Sequence, residues 1–300
     1  MDAQDGLARS FETHRDRLRT VAYRMLGSLS EADDAVQEAW LRLARGNTDG
    51  VANLGGWLTT VVSRICLDML RSRASRREEL AGHQMPDQNP DPDQSGAPEQ
   101  EALLAESVGR ALLIVLDRLG PAERVAFVLH DMFAVPFDEI APIVDRSPAT
   151  TKKLASRARR KVRGAPALPD MELVRQRHVV EAFLTASRSG DIDGVLTVLA
   201  PDVVRRADRA ALPPDRPTEV RGARAVAEEI AAFGRNSRFA EPALVNGAVG
   251  IVVAPRGRLR LVLAVTVVGE RITAYELIAD PARLHQLDLA VLDGATAPGG

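Results

Sequence analysis

Hydrophobic residues recur every three to four positions through the first 165 residues, which is the spacing of amphipathic helices. Three such stripes precede residue 80: one ends at Gly27, the next follows the capping box Ser30-Glu31-Ala32-Asp33, and the third runs from about Trp57 to Arg73. The residues predicted to face inward are Leu18, Val21, Ala22, Met25 and Leu26, then Ala32, Val36, Ala39, Trp40 and Leu43, then Leu58, Val61, Val62, Ile65, Leu67 and Leu70. The pattern predicts an all-α domain over residues 7–80.

A second all-α domain is predicted over residues 106–164. It follows residues 81–105, where proline alternates with Asp, Gln, Asn and Gly as in a flexible acidic linker. Helical patterning returns, and a short helix over residues 137–144 contains Pro142, which should kink or shorten it. Asp145, a residue type that tolerates left-handed backbone, forms a turn before the N-cap Ser147 and the first-turn Pro148. Two helices joined by so short a turn form a helix-turn-helix.

In the last third of the chain, the hydrophobic pattern changes from that of helices alone to that of helices followed by strands. A short linker at 165–173 leads to helices near Phe183, near Val195 and over residues 223–233. Strand-like runs follow at 248–254, 259–268 and 272–278, with the hairpin signal Gly269-Glu270 between the last two. Helices followed by a meander predict a compact α+β domain over residues 174–292.

Composition narrows the class of protein. The chain has 300 residues, 45% of them hydrophobic, which suits two or three domains with real cores. Its one cysteine, Cys66, excludes an intrachain disulfide, and no zinc-type cluster is present. The polar N-terminus lacks a signal peptide and no apolar run reaches membrane-spanning length, so we expect a cytoplasmic protein without a membrane partner.

Charge is strongly segregated although the formal net charge is only −2. Between Ser147 and Arg163 there are seven Lys or Arg residues and no carboxylate. The residues expected to face DNA on this capped helix are Ser147, Thr150, Lys152, Lys153, Ser156, Arg157 and Arg160. A basic helix alone could equally be a solvated surface. Its place as the second helix of a helix-turn-helix favours binding in the major groove.

Two other polar surfaces remain open to more than one interpretation. One face of the second helix carries Asp34, Gln37, Glu38 and Leu41, either a solvated face or a docking surface. The third helix offers one large aromatic, Trp57, which alone is more typical of a core than of base stacking. Its basic side chains are better suited to phosphate contacts, and they are Arg64, Arg71, Arg73, Arg76 and Arg77.

Three collinear segments resemble the extracytoplasmic-function (ECF) sigma factors of the sigma-70 family. They are the second helix at 34–43, the stretch from Gly56 to Arg71, and Leu119–His130 with the helix-turn-helix. The resemblance implies that the face with Asp34 and Glu38 binds the β′ clamp helices of core RNA polymerase. It also implies that the third helix melts and reads the −10 element of promoter DNA, while the helix-turn-helix domain reads the −35 element and meets the β flap.

The C-terminal third is similar to the SnoaL-like extension of SigJ- and SigI-type members, best over Ser189–Asp191 and Leu199–Val203. The predicted fold class is therefore multidomain, with two all-α sigma domains followed by an α+β SnoaL/NTF2-like cone. The resemblance implies regulation in cis, through intramolecular contact of the cone with the first domain or the first linker.

Catalysis is poorly supported by the sequence. The chain has no P-loop, GxGxxG, HExxH or GxSxG motif, and its five histidines are scattered, so no enzyme activity and no cofactor are expected. Asp202, Asp208 and Glu276 could line the cone, but no histidine lies among the strands. The competing function is a stand-alone helix-turn-helix regulator with a small-molecule-sensing C-terminal domain, which would not need residues 7–80.

Overall fold

The computed structural model describes residues 2–45, 53–81 and 109–292. They divide into two compact units, one built from the described residues up to 81 with residues 116–159, and the other from 109–115 with 160–292. The predicted linker 81–105 lies almost entirely outside the described residues, as does the side chain of Arg77.

The first unit begins with three long helices, α1 (Asp2–Leu26), α2 (Leu29–Arg45) and α3 (Leu54–Ala81), each packed against the other two. The turn between α1 and α2 needs Gly27, whose φ of 73° is strained for other residues. Helix α3 starts earlier than expected because Asn53 Oδ1 accepts a hydrogen bond from the Gly56 N–H and caps it. The predicted stripes are buried, except for half-buried Trp40, whose ring packs at 5.1 Å on Phe11, and half-buried Val61.

Short helices form the second helical segment: α4 (Arg110–Asp117), α5 (Pro121–Phe127), α6 (Phe137–Val144) and α7 (Pro148–Arg163), with a π-helical turn, Val128–Met132, after α5. Helices α5 and α6 pack on α3, so the two predicted helical domains share one unit. Their contact buries Arg124, which is 2% exposed and donates to Asp117.

The second unit is a seven-stranded sheet with helices on it. Its helices are α8 (Asp170–Ser189), α9 (Ile192–Val198), α10 (Ala223–Phe233) and α11 (Pro281–Gln286). Its strands are β1 (Leu199–Ala207), β2 (Glu219–Arg221), β3 (Ala240–Val245), β4 (Ala248–Val253), β5 (Leu261–Val268), β6 (Arg271–Ile278) and β7 (Leu289–Ala290). The strand order is β2-β1-β6-β5-β4-β3-β7, and only β1 and β6 pair in parallel. This is the expected α+β cone.

Four strands of the sheet, β1, β2, β3 and β7, lie outside the predicted strand runs. Strands β2 and β7 have only three and two residues, and β1 and β3 each contain a proline. Pro201 lies where the register between β1 and β6 shifts, so its missing N–H falls in an irregular stretch of the ladder. Pro242 lies on β3 before the pairing with β7 begins at Leu244, which leaves that side of the strand unpaired. Both prolines therefore occupy positions at which a sheet tolerates them.

Candidate DNA-binding and polymerase-binding surfaces

The capped start of α7 has the predicted geometry. Ser147 Oγ accepts from the Thr150 backbone N–H at 3.3 Å and lies 2.9 Å from Thr150 Oγ1. Thr151 is buried and donates its hydroxyl to Ser147 O. Asp145 takes the left-handed conformation, with φ 55° and ψ 54°, and ends α6. Helix α6 is short and keeps Pro142 exposed, so the expected shortening of this helix is observed.

Lys152, Lys153, Ser156, Arg157 and Arg160, here called the basic face, are all exposed. The opposite side of α7 packs Thr151, Ala155, Ala158 and Val162 into the protein. Within the described part of the chain, none of the four cations of the basic face has an ion pair, whereas their neighbour Arg159 pairs with Asp131. The basic face is therefore open to an external anion.

The acidic face of α2, made of Asp34, Gln37, Glu38 and Leu41, lies opposite a stripe that includes Val36 and Ala39. Asp34 and Gln37 are exposed, and Leu41 is one of the few large hydrophobic side chains that are. Glu38 is half-buried and accepts from Arg42 Nε at 2.9 Å. The face combines negative charge with one apolar contact point and has no role in the core of the unit.

The basic residues of α3 separate into three environments. Arg71 and Arg76 are exposed, and their contacts remain within α3, to Asp68 and to the Ser72 carbonyl. Arg73 is half-buried, pairs with Glu31 and donates to Leu26 O at 3.0 Å, so it ties α3 to the α1–α2 turn. Trp57 is half-buried near the start of the helix.

Arg64 lies at the contact between the two helical segments. It is exposed and donates to the Pro142 carbonyl of α6 at 3.3 Å, although the two residues are 78 positions apart. Arg24 of α1 stacks over Phe133 at 5.1 Å, and burial lowers the pKa of its guanidinium. A residue predicted to contact −10 DNA is thus engaged by the helix-turn-helix domain in the unbound chain.

Three residues whose contacts bear on the proposed sites could not be identified from the sequence pattern. Arg124 falls in an ordinary helical stretch. Arg110 and Glu241 are 131 residues apart, and the Glu241 carboxylate accepts both from the Arg110 guanidinium at 3.2 Å and from the Ala111 N–H at 3.1 Å. In this way β3 holds the N-terminus of α4 within the second unit. The sequence offers only one signal for this pair, the opposite charges of Arg110 and Glu241. The chain has too many charged residues for opposite charge to identify a particular pair.

The three carboxylates considered as cone-lining residues are not among the residues that line the cavity of the second unit. Asp202 is exposed, Asp208 accepts from the Ala279 and Asp280 N–H groups, and Glu276 binds Arg283 at 2.8 Å. In the described ranges, no group of three or more His, Cys, Asp or Glu side chains could hold a metal ion. In these ranges none of the helices is both long enough and apolar enough to span a membrane.

Comparison with known proteins assigns both helical segments. The Sigma-70 region 2 family model matches residues 10–76, and the Sigma-70 region 4 model matches residues 110–162. The chain is 39% identical to the ECF RNA polymerase sigma factor SigJ of Mycobacterium tuberculosis over 291 residues, covering 90% of this chain and 91% of that protein. It is 38% identical to the probable ECF sigma factor SigI of the same species over 211 residues, covering 69% and 72%.

Among solved structures, the crystal structure of M. tuberculosis SigJ matches with a TM-score of 0.45 and 33% identity, covering 93% of this chain and 98% of that one.

Proposed function

The chain belongs to the ECF RNA polymerase sigma factors, and from this premise we propose how its surfaces divide the work of transcription initiation. As a sigma factor, it directs core RNA polymerase to promoters. We assign polymerase β′ clamp binding to the acidic face of α2, −10 contacts to Trp57, Arg64, Arg71, Arg73, Arg76 and Arg77 of α3, and −35 contacts to Ser147, Thr150 and the basic face of α7. The helix-turn-helix domain also meets the β flap. A stand-alone regulator is disfavoured by the region 2 match.

The main observation that supports this assignment is the basic face of α7. Its four cations are exposed and unpaired within the described residues, on a helix whose N-terminus is capped. Transcription with purified core polymerase from a related bacterium, on templates with a randomised −35 region, tests the function. Each template carries a barcode downstream of the start site, because the promoter elements are not transcribed, and the barcodes found in the transcripts should return templates that share a specific −35 element. Transcript levels equal to those of core polymerase alone would contradict it.

The compact first unit has to open when the protein binds a promoter. The −10 and −35 elements are about 25 base pairs apart, which is about 85 Å at 3.4 Å per base pair. A compact unit of about 150 residues has a radius of gyration near 15 Å, too small to span that distance. We propose that contacts such as Arg64 with Pro142 O and the buried Arg124 hold the unbound protein closed, and that polymerase replaces them.

Fluorescence energy transfer between α3 and α6 should therefore fall from high to near background on promoter binding. Asp68→Cys and Glu139→Cys place dyes on two exposed positions. The natural Cys66 is buried, and burial raises the pKa of its thiol to about 12, so it stays protonated and unreactive during labelling at neutral pH. The unlabelled double variant must support transcription as a control. Unchanged transfer in an active initiation complex would show that the unit stays closed.

The C-terminal cone is proposed to regulate the sigma factor in cis rather than to catalyse a reaction. The supporting contact is Glu241 of β3 on Arg110 and Ala111 of α4, a helix that falls within the region 4 match. The Val291 N–H also donates to the Val162 carbonyl at the end of α7. Both contacts lie within the second unit, at the start of α4 and at the end of α7. Contact with the first domain or first linker, as the family resemblance implies, remains a prediction.

In the full-length chain, Glu241→Ala should loosen the start of α4 and change transcription. The substitution removes two hydrogen bonds and leaves the 6%-exposed Arg110 without this carboxylate, at a cost of about 1.5–3 kcal/mol of local stability. Hydrogen exchange at residues 109–115 should rise, and run-off transcript yield should shift by more than about twofold. Glu219→Ala is the matched control, because it removes an exposed carboxylate of β2 that pairs with Arg206 of β1 and with Arg221. Equal exchange and equal yield in both variants would remove the proposed link.

A further inference from the structure

A cavity of about 220 Å³ lies in the second unit between α8, α10 and strands β4–β6. Its walls are mainly aliphatic and aromatic, with Phe183, Leu184, Ile251 and Leu263 among them. The segment from Ala211 to Arg216 forms one edge. Arg209 holds this segment by donating to the Arg216 carbonyl at 3.0 Å. The cavity is therefore a defined apolar space, and a hydrogen bond from Arg209 holds its rim in place.

The charged residues that reach the cavity between β1 and α10 already satisfy one another. Arg205 is 1% exposed, and its guanidinium binds the Glu229 carboxylate through Nε at 3.0 Å and Nη2 at 2.7 Å. Its Nη1 donates to Pro217 O at 2.9 Å. A charged ligand would find no unused counter-charge in this pair. The third charged lining residue, Arg216, is exposed at the rim, where water screens its charge. Burying an uncompensated charge is costly. The site thus favours an uncharged molecule.

Tyr275 supplies the one uncommitted polar group that we find on these walls. It is 6% exposed and pairs with Arg205 across the β1–β6 ladder, and its ring packs in a tilted arrangement 6.0 Å from that of Phe183. Within the described part of the chain its hydroxyl makes no hydrogen bond, and the oxygen is not among the fully buried atoms, so it is accessible from the cavity. Burial raises its pKa, so it remains a neutral group that can both donate and accept.

Size limits the occupant. An apolar cavity of about 150 Å³ holds benzene, so about 220 Å³ suits a substituted single ring or a small fused pair of rings. We propose that this cavity is a binding site for an uncharged aromatic or alicyclic molecule of one or two rings that carries one hydroxyl or carbonyl oxygen, hydrogen-bonded to Tyr275. The wall includes Ala240, and the next residue, Glu241, holds α4. A bound ligand would therefore lie beside the contact proposed for cis regulation, although binding does not depend on that proposal.

Three para-substituted toluenes test the site on the full-length chain: p-cresol, p-xylene and the slightly larger anion p-toluate. Saturation-transfer NMR with titration should give saturable binding of p-cresol and p-xylene and at least about tenfold weaker binding of p-toluate. Tyr275→Phe removes only the hydroxyl. It should weaken p-cresol at least about fivefold and leave p-xylene unchanged, because one hydrogen bond is lost.

Two further variants keep the result interpretable. Ile230→Trp adds bulk at a half-buried wall position and should abolish binding of both neutral probes. Tyr23→Phe changes the only other tyrosine, buried in the first unit, and should leave binding unchanged. Should Ile230→Trp fail to fold, the two tyrosine variants decide. No saturable binding of either neutral probe, or p-cresol affinity that Tyr275→Phe leaves intact, would overturn the proposal.

Discussion

The Lys152→Ala, Lys153→Ala variant is expected to bind −35 DNA at least about thirtyfold more weakly than the wild type. Each base-reading side chain contributes about 1–3 kcal/mol, and the loss of two at the lower bound already gives this factor. Both lysines are exposed in the first turns of α7, opposite the buried Thr151 and Ala155, so their removal should leave the fold unchanged. Binding to duplexes with single changes in the −35 element measures the effect.

Two further variants of α7 distinguish side chains that read bases from side chains that bind DNA only through their charge. Arg160→Ala should weaken all sequences alike and lower the salt dependence of binding by about one counterion, as expected for a phosphate contact. Lys161→Ala removes an exposed lysine outside the basic face and should have little effect. Wild-type affinity and sequence preference in the double lysine variant would show that the basic face is misassigned.

The Asp34→Arg, Glu38→Arg variant is expected to lose core polymerase binding by at least about a hundredfold. The family resemblance sets this acidic face against the basic clamp helices, and like charges facing each other across an interface cost several kcal/mol. The face lies opposite the buried Val36 and Ala39, so the substitution spares the core. Among the described residues, the substitution removes one ion pair, that of Glu38 with Arg42 on the surface, and such i,i+4 pairs contribute about 0.3–0.5 kcal/mol.

Glu12→Arg is the matched control for this charge reversal. Glu12 is an exposed carboxylate on α1 that also pairs with an arginine on its own helix, Arg15. Pull-down of core polymerase at two salt concentrations, with thermal unfolding of each variant, measures both effects. A double variant that is folded and retains core polymerase as well as the wild type would disprove the assignment of α2.

Much of the helical architecture was predictable because helix signals act over a few residues. The Ser147 cap, the left-handed Asp145 and the stripe through Val36 and Ala39 each depend on neighbours within one or two turns. Fold class and the exposure of the basic face followed from them. The same locality explains the errors: β1 and β3 were missed because Pro201 and Pro242 look like strand breakers until the pairing of each strand is known.

By itself, the sequence determined the two helical sigma segments, the helix-turn-helix and the two polar faces assigned to DNA and polymerase. Only the tertiary structure decided which charged side chains are bound by other parts of the protein. It engaged Arg64 with Pro142 O, tied Arg73 to the α1–α2 turn, buried Arg124 and placed Glu241 on Arg110. It also arranged Arg205, Glu229 and Tyr275 around one cavity. These pairings join residues far apart in the chain, and their partners are selected by burial and packing, which no local pattern encodes.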